Sequence, residues 1–417
     1  MKKLEVVVLK LAILGLGARG RLVYLNHMSK YSDVDIAALC DIKKDVLETS
    51  KQNYAPKARC FDNEKDFFSA GKMADFLVIA TQDRDHYRHA MAAMKLGYHL
   101  ILEKPVTGVE TELDEILAYS KEHNRKILVC HVLRYAPFFQ KIKEILDSGL
   151  IGDVVNIVHQ ENIGFWHFAH SFVRGNWRDE NATSPILLAK TCHDFDLLYW
   201  YIGKECTGVS SYGSLNYFTK ENQPKGAVSY CLNGCAVKKD CPFDAEKLYC
   251  SPFAQTGADQ YEVAMGKLNA SKKEAREILK ISPYGRCVFA CDNNVNDHQV
   301  VNMQFEGGAT ATLTLSAFTK NCYRRIHIMG TQGDLHGTDI TKTITVNLFG
   351  KPSKIFQAKP VATGHGGGDK GFCDTIHQFM QGKEIDENLL TTIDVTARSH
   401  KIIYEAVRSS VSKEACV

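Results

Sequence analysis

Residues 15–20 read Gly15-Leu16-Gly17-Ala18-Arg19-Gly20, and three glycines at this spacing carry a specific chemistry. One permits a sharp bend, one lets the backbone approach a pyrophosphate closely, and one lets a helix pack tightly on a strand. A helix starting here offers free amides and a positive dipole end to phosphates. Asp41 lies 21 residues beyond Gly20, where a carboxylate accepts hydrogen bonds from an adenosine ribose. The same carboxylate repels a 2′-phosphate, so the pattern predicts NAD rather than NADP. A second group comprises Trp166, His167, His170, Arg174 and Trp177. Aromatic faces suit the C–H face of a sugar, while imidazole and guanidinium groups hold hydroxyls. Burying His167, His170 or Arg174 without polar partners would be costly, which favours contact with a substrate. A third group is Cys231-x3-Cys235-x5-Cys241, with Cys287 further on. Four thiolates could hold zinc in a closed tetrahedral site that plays a structural part. The alternative is unpaired thiols in a loop.

These groups need elements to position them. Leu9–Leu14 reads as a strand, Arg21–Met28 as a helix and Val34–Cys40 as a second strand ending at Asp41. Strand–turn–helix–strand–acid is the order a dinucleotide requires. The alternation continues: Ala74–Thr81 strand, Asp85–Leu96 helix, His99–Leu102 strand, Thr111–His123 helix, Lys126–Cys130 strand. That predicts an α/β, doubly wound parallel sheet within residues 1–134. Ligands bind at the carboxyl ends of such strands. Thr81 and Gln82, with His86 at the start of the next helix, therefore join Glu103 and Lys104 in the predicted cofactor crevice.

Beyond Asp153 the texture turns β-rich, with runs at Val154–Gln160, Val209–Phe218, Val300–Phe305, Ala309–Ala317, Tyr323–Gly330 and Thr343–Leu348. Glu306-Gly307-Gly308 is a hairpin signal. Gly371–Gln381 and Ile393–Val411 read as helices. Residues 135–417 thus form an α+β substrate and oligomerisation domain, interrupted by a cysteine-rich insertion at about 219–292. An irregular insertion of this length calls for a staple, which favours the metal.

The 417 residues suit two domains, and 45% hydrophobic with 24% charged residues is a globular composition. Lys plus Arg is 51 and Asp plus Glu is 48, with no long basic run, so neither nucleic acid nor an anionic membrane is an expected partner. Met1-Lys2-Lys3 and the apolar stretch after it could pass for a signal peptide, but Glu5 and Lys10 interrupt it. No segment reaches the ~20 apolar residues of a membrane span. A cytoplasmic protein is expected, in which disulfides are disfavoured.

Glu103-Lys104-Pro105 directly follows Leu100-Ile101-Leu102. With the glycine turn, Asp41, Arg134-Tyr135-x-Pro137, Gly149-Leu-Ile-Gly152 and His193-x-x-Asp196, the chain resembles the glucose–fructose oxidoreductase/inositol dehydrogenase (Gfo/Idh/MocA) family over nearly its whole length. The resemblance implies a large, mostly antiparallel open sheet in the second domain. One face of that sheet closes the active site, and the other often pairs two subunits, giving a homodimer or homotetramer. It implies that Lys104 lies beside the nicotinamide and the substrate hydroxyl. It implies that Ser184–Asp196 is the helix carrying the catalytic His193, with Lys190 on the same face and Asp196 a turn further on, able to orient the histidine. The family commonly has an aspartate four residues before this histidine; here Ala189 stands there, and Lys190 is the candidate replacement, as a hydrogen-bond donor to substrate. Asp194 and His365 join the substrate group, with Asp369 and Asp297-His298-Gln299 ranked behind.

Removing a hydride from a secondary alcohol also requires loss of the hydroxyl proton, to which a lysine or histidine is suited. The expectation is an NAD-dependent oxidoreductase for a sugar, polyol or glycoside, with His193 or Lys104 taking the proton. Some members of the resembled family are NAD-dependent glycosidases that oxidise a ring hydroxyl, eliminate the glycosidic group, add water and re-reduce; that is the alternative. A non-catalytic NAD-sensing regulator on the same fold is a third reading, against which the presence of both Lys104 and His193 argues.

Overall fold

The computed structural model describes residues 8–251, 256–361 and 364–411. Residues 1–7, weighed above as part of a leader, lie outside them. The chain divides into two compact units, each built from interleaved segments. The first takes residues 1–148, 195–201 and 357–404, and the second residues 149–194, 202–356 and 405–417.

The first unit holds six strands: β1 (Leu9–Leu14), β2 (Val34–Cys40), β3 (Arg59–Phe61), β4 (Phe76–Ile79), β5 (His99–Leu102) and β6 (Ile127–Val129). All are parallel, in the order β3-β2-β1-β4-β5-β6. Near-continuous apolar strands make such a sheet because both faces are covered; Leu11–Leu14, Phe76–Ile79 and Leu100–Leu102 are all buried. Strand order reverses between β1 and β4, the switch point at which carboxyl ends diverge to admit a ligand. Helices Glu110–Glu122 and Gly368–Met380 lie close to their expected positions, the latter burying Phe372, Cys373 and Ile376 in the core with Tyr24 and Leu25.

The second unit holds β7 (Val154–Gly164), β8 (Cys206–Ser214), β9 (His298–Phe305), β10 (Thr310–Thr319), β11 (Tyr323–Gly330), β12 (Gly333–Thr338), β13 (Thr343–Leu348) and β14 (Lys354–Gln357). They form one sheet ordered β14-β13-β12-β11-β7-β10-β9-β8, in which β7 and β10 run parallel and the other described pairings are antiparallel. The hairpin at Glu306–Gly308 joins β9 to β10, with Gly307 and Gly308 at positive φ. The expected strand Val209–Phe218 ends early, at Ser214, because Phe218 leaves the sheet to pack in the core beside the insertion. The insertion is helical: Ala245–Cys250, Ala258–Met265 and Lys272–Leu279. Its Phe243, Leu248, Tyr249, Met265 and Leu279 share one core with Phe168, Phe172 and Phe289. Among the described residues, no helix is long and apolar enough to cross a membrane.

Candidate active site

The glycine turn follows β1. Gly15 has φ +91°, and a Cβ there would lie 2.5 Å from the Ala80 carbonyl oxygen; at Gly20 it would lie 1.8 Å from the Gly15 carbonyl oxygen. Both glycines are fixed by the chain's own packing. At Gly17 a Cβ would meet no protein atom within 4 Å, so that position leaves the backbone bare to an approaching ligand. The helical segment beyond it, Ala18–Leu25, winds in wide π-type turns, a local form often found at functional sites. Asp41 accepts from the Leu16 amide at 2.6 Å and from the Lys43 amide at 2.8 Å, so it holds the turn. Each carboxylate oxygen retains a lone pair for a further donor. Ile42, next to it, is 81% exposed.

Arg19 bends back from the turn into a buried polar knot. It donates to Glu103 Oε1 at 2.7 Å, Asp369 Oδ1 at 2.6 Å and Cys130 Sγ at 2.9 Å, and Tyr24 Oη also donates to Glu103, at 2.8 Å. Burial alone would raise the Glu103 carboxyl, but Arg19 and the donors around it hold it below the usual value. Asp369 is likewise lowered against burial, by His365 and Arg19; His365 Nδ1 lies 3.0 Å from Asp369 Oδ2. Lys104, half-buried, immediately follows this anchored glutamate. His86 ties two strand ends together, with Nδ1 2.7 Å from the Pro105 carbonyl and Nε2 3.2 Å from that of Thr81. Thr81 Oγ1 contacts His89 Nδ1 at 3.0 Å, and Gln82 is exposed.

In the second unit, β7 carries His159 and Glu161 and β11 carries Arg324, all turned to the buried face of the sheet. Arg324 donates to Asp194 from Nε at 2.7 Å and Nη2 at 3.1 Å, and its Nη2 lies 3.0 Å from Glu161. His159 Nε2 lies 2.7 Å from Asp194 Oδ1, and Lys190 Nζ lies 3.0 Å from Glu161. Burial would raise Asp194, yet Arg324 and His159 hold it well below the usual carboxylate range. Cys322, exposed, lies 3.5 Å from His167 Nδ1.

Models of one oxidoreductase family match nearly the whole chain: its NAD-binding Rossmann fold over residues 9–131 and its C-terminal alpha/beta domain over residues 143–415. The chain belongs to the Gfo/Idh/MocA oxidoreductase family. A putative oxidoreductase YteT of Bacillus subtilis is 24% identical over 384 residues, covering 85% of each chain. Inositol 2-dehydrogenase of Salmonella typhimurium is 24% identical over 279 residues, 65% of this chain and 79% of that one. Among solved structures, an Agrobacterium radiobacter oxidoreductase in complex with NAD+, L-tartaric acid and magnesium has TM-score 0.69 at 16% identity, covering 97% of both chains.

Several residues of this Gfo/Idh/MocA chain occupy places other than those its sequence suggested. Residues 184–196 are not one helix: Ile186–Ala189 ends at Lys190, and a new helix, Cys192–Ile202, follows. Lys190 and His193 therefore do not share a continuous helical face, and the Lys190 ammonium is engaged by Glu161. His193, 4% exposed, sits in the first turn of the second helix. Asp196 takes a two-pronged pair from Arg134, both bonds 2.7 Å and both groups buried. Asp194 is enclosed with Arg324 and His159. The aromatic segment splits in two. Arg174, 1% exposed, donates to the carbonyls of Arg286 and Phe243, each at 2.7 Å. His170 contacts Tyr249 Oη at 2.8 Å and stacks on Tyr284, and burial lowers it to about 4. Both are buried and engaged by groups of the chain itself, whereas Trp166, His167 and Trp177 are partly exposed. Sequence reading missed Glu161, His159 and Arg324. The alternation in β7 places His159 and Glu161 on the same side as the core residue Ile157, and that was the available signal.

Proposed function

We propose that the chain is an NAD-dependent dehydrogenase acting on a secondary hydroxyl of a sugar, polyol or glycoside. The observation that carries the cofactor reading is the bare backbone at Gly17, between two glycines that packing alone explains. Asp41 faces the ribose hydroxyls in this reading, and Ile42 offers an apolar face to adenine. When bound, the nicotinamide supplies the hydride acceptor. Lys104 or His193 takes the hydroxyl proton, and the anchored Glu103 fixes the backbone on which Lys104 stands. On the substrate side, Trp166, His167 and Trp177 offer aromatic and imidazole faces, and Lys190 donates to a substrate hydroxyl while Glu161 holds it.

The substrate class rests on relatives named inositol 2-dehydrogenase and D-glucoside 3-dehydrogenase, and on the Lactobacillus plantarum structure named myo-inositol 2-dehydrogenase. A second copy of the chain packs on the face of the large sheet bearing Val158, Thr312, Thr314 and His327, none of which is buried.

The test is incubation of the purified protein with NAD and a panel of sugars, polyols and nitrophenyl glycosides. Stoichiometric growth of NADH absorbance is expected. Release of nitrophenol without net NADH would replace this reading with the redox-assisted glycosidase, and NAD binding without turnover would leave a regulator. His193→Ala is expected to abolish turnover and spare NAD binding; undiminished turnover would overturn the assignment of His193.

A further inference from the structure

The insertion carries six cysteines, and its fold sorts them. Tyr230 and Arg286 form an isolated antiparallel bridge. The Cys231 amide donates to the Gly285 carbonyl at 2.9 Å and the Cys287 amide to the Ser229 carbonyl at 2.8 Å. Residues 56 positions apart are thereby set on neighbouring backbone segments. Gly234, at φ +85°, turns the chain so that Cys235 returns toward the same place. A further turn closes from the Cys241 amide to the Val237 carbonyl at 3.1 Å, and beyond it Asp244 caps helix Ala245–Cys250. As a result Cys231, Cys235, Cys241 and Cys287 line one cavity of about 20 Å³, and Cys250 and Cys291 do not. That volume has room for one water-sized occupant.

The cavity wall also includes Arg174. This guanidinium is fully buried and makes no ion pair with a carboxylate among the described residues. Its Nη2 lies 3.6 Å from Cys231 Sγ, and its Nη1 is buried without a hydrogen-bond partner. Asp244 lines the same cavity, but burial raises its carboxyl, its Oδ1 caps the following helix through the Lys247 amide, and it makes no ion pair with Arg174. A permanently charged group enclosed there is costly unless further opposite charge is supplied.

We propose that Cys231, Cys235, Cys241 and Cys287 bind one zinc ion as a closed tetrathiolate, with Arg174 as its fixed counter-charge. Four thiolates and Zn²⁺ sum to −2, and the guanidinium removes one of those charges. Its N–H groups supply the outer hydrogen bonds to sulfur that ligand shells require. The thiols stand apart without the ion: among the described residues, they are not in any group with three ligand atoms mutually within 4.8 Å. Zinc–sulfur bonds of ~2.3 Å would draw them inward. Zinc is the choice because soft thiolates in tetrahedral number select it, and no open coordination position is left for catalysis. The ion fastens the two ends of an insertion that contributes Phe243, Tyr249, Tyr284 and Phe289 to the second unit's core. Loading releases the thiol protons to solvent and changes no oxidation state.

The test uses the full-length protein purified without chelator. Elemental analysis should find one zinc per chain. Organomercurial titration of the thiols, followed with a metallochromic dye, should release that zinc and expose four additional thiols. Cobalt(II) substitution should give the intense thiolate-to-metal bands and visible d–d bands of a tetrahedral sulfur site, a readout that needs no variant. Cys235→Ser with Cys241→Ser should lose the metal, and Cys250→Ala should keep it. Protein that contains no zinc, and in which added zinc protects no thiols, would overturn the proposal. So would zinc retained by the double variant, or iron bound in its place.

Discussion

Replacing Arg324 with Met tests the buried charge network behind the candidate substrate face. Arg324 is the two-pronged partner of Asp194 and also faces Glu161, at 2.7–3.1 Å. Glu161 keeps Lys190 at 3.0 Å when Arg324 is removed, but Asp194, 0% exposed, keeps only His159. Breaking a buried pair by deleting one partner costs about 3–5 kcal/mol, because the remaining charge is left without compensation. For a unit of roughly 200 residues this corresponds to a fall in Tm on the order of 10 °C. The pH dependence changes sign as well. In the native chain Asp194 is held below its unfolded value, so its pairing stabilises above about pH 4 and is lost on acidification. In Arg324→Met burial dominates and the carboxyl rises above its unfolded value. The folded state then binds the extra proton, so the deficit of the variant relative to the native chain narrows as pH falls from 7 to 5. Scanning calorimetry at both pH values measures this. Combining Arg324→Met with Asp194→Leu should recover most of the loss, since replacing both partners with apolar groups is often close to neutral. A loss below about 1 kcal/mol at pH 7, or a deficit relative to the native chain that widens at pH 5, would refute the reasoning.

Gly17→Ala should leave Tm within about 1 °C while weakening NAD at least tenfold (~1.4 kcal/mol), measured by calorimetric titration; Gly20→Ala should lose stability as well, since its Cβ would overlap the Gly15 carbonyl. Asp41→Ala should raise the KM for NAD more than that for NADP and cost about 1–3 kcal/mol through the Leu16 and Lys43 amides it leaves unpaired; an unchanged cofactor ratio would count against its ribose role. His170 and His400 are lowered by burial to about 4 and about 3. The unfolded chain, titrating near pH 6.5, binds their protons first, so stability is complete above that pH and falls below it. Each imidazole costs about 2 kcal/mol at pH 5. Chemical denaturation of His170→Gln between pH 7 and pH 5 should show a shallower slope than the native chain.

What the sequence disclosed followed from periodicity and turn chemistry. The first sheet was legible because parallel strands buried on both faces are unbroken apolar runs, and the glycine turn because only glycine fits beside the Ala80 and Gly15 carbonyls. β12 was not legible. Gly333–Thr338 has no hydrophobic alternation and is a strand only because β11 and β13 pair with it on both sides. The break at Lys190 carries no glycine or proline to announce it. Lys190, at φ −115° and ψ −51°, leaves the helical path as its side chain reaches Glu161 on β7. Asp196 was readable as an acid near a histidine, but its true partner lies 62 residues upstream, at Arg134. Long-range ion pairs of this kind leave no local signal in a single sequence.

In the aromatic segment the physical premise has an answer within the chain itself. Burying His170 and Arg174 is indeed costly without partners. The partners exist, but the insertion supplies them: Tyr249 for His170, and the Phe243 and Arg286 carbonyls for Arg174. The inward positions of residues 165–177 thus hold the insertion, while Trp166, His167 and Trp177 are left at the surface. His170 and Arg174 are buried together with Phe168, Ala169, Ser171, Phe172 and Val173, and only the two ends of the segment keep exposed surface. Trp166 and Trp177 pack on the same core that the insertion helps to build. The insertion fixes the inner edge of the segment, and so the orientation of the three side chains that edge carries. A change in the cysteine cavity that leaves Arg174 uncompensated would loosen the same edge, because one side chain closes the cavity and anchors the segment.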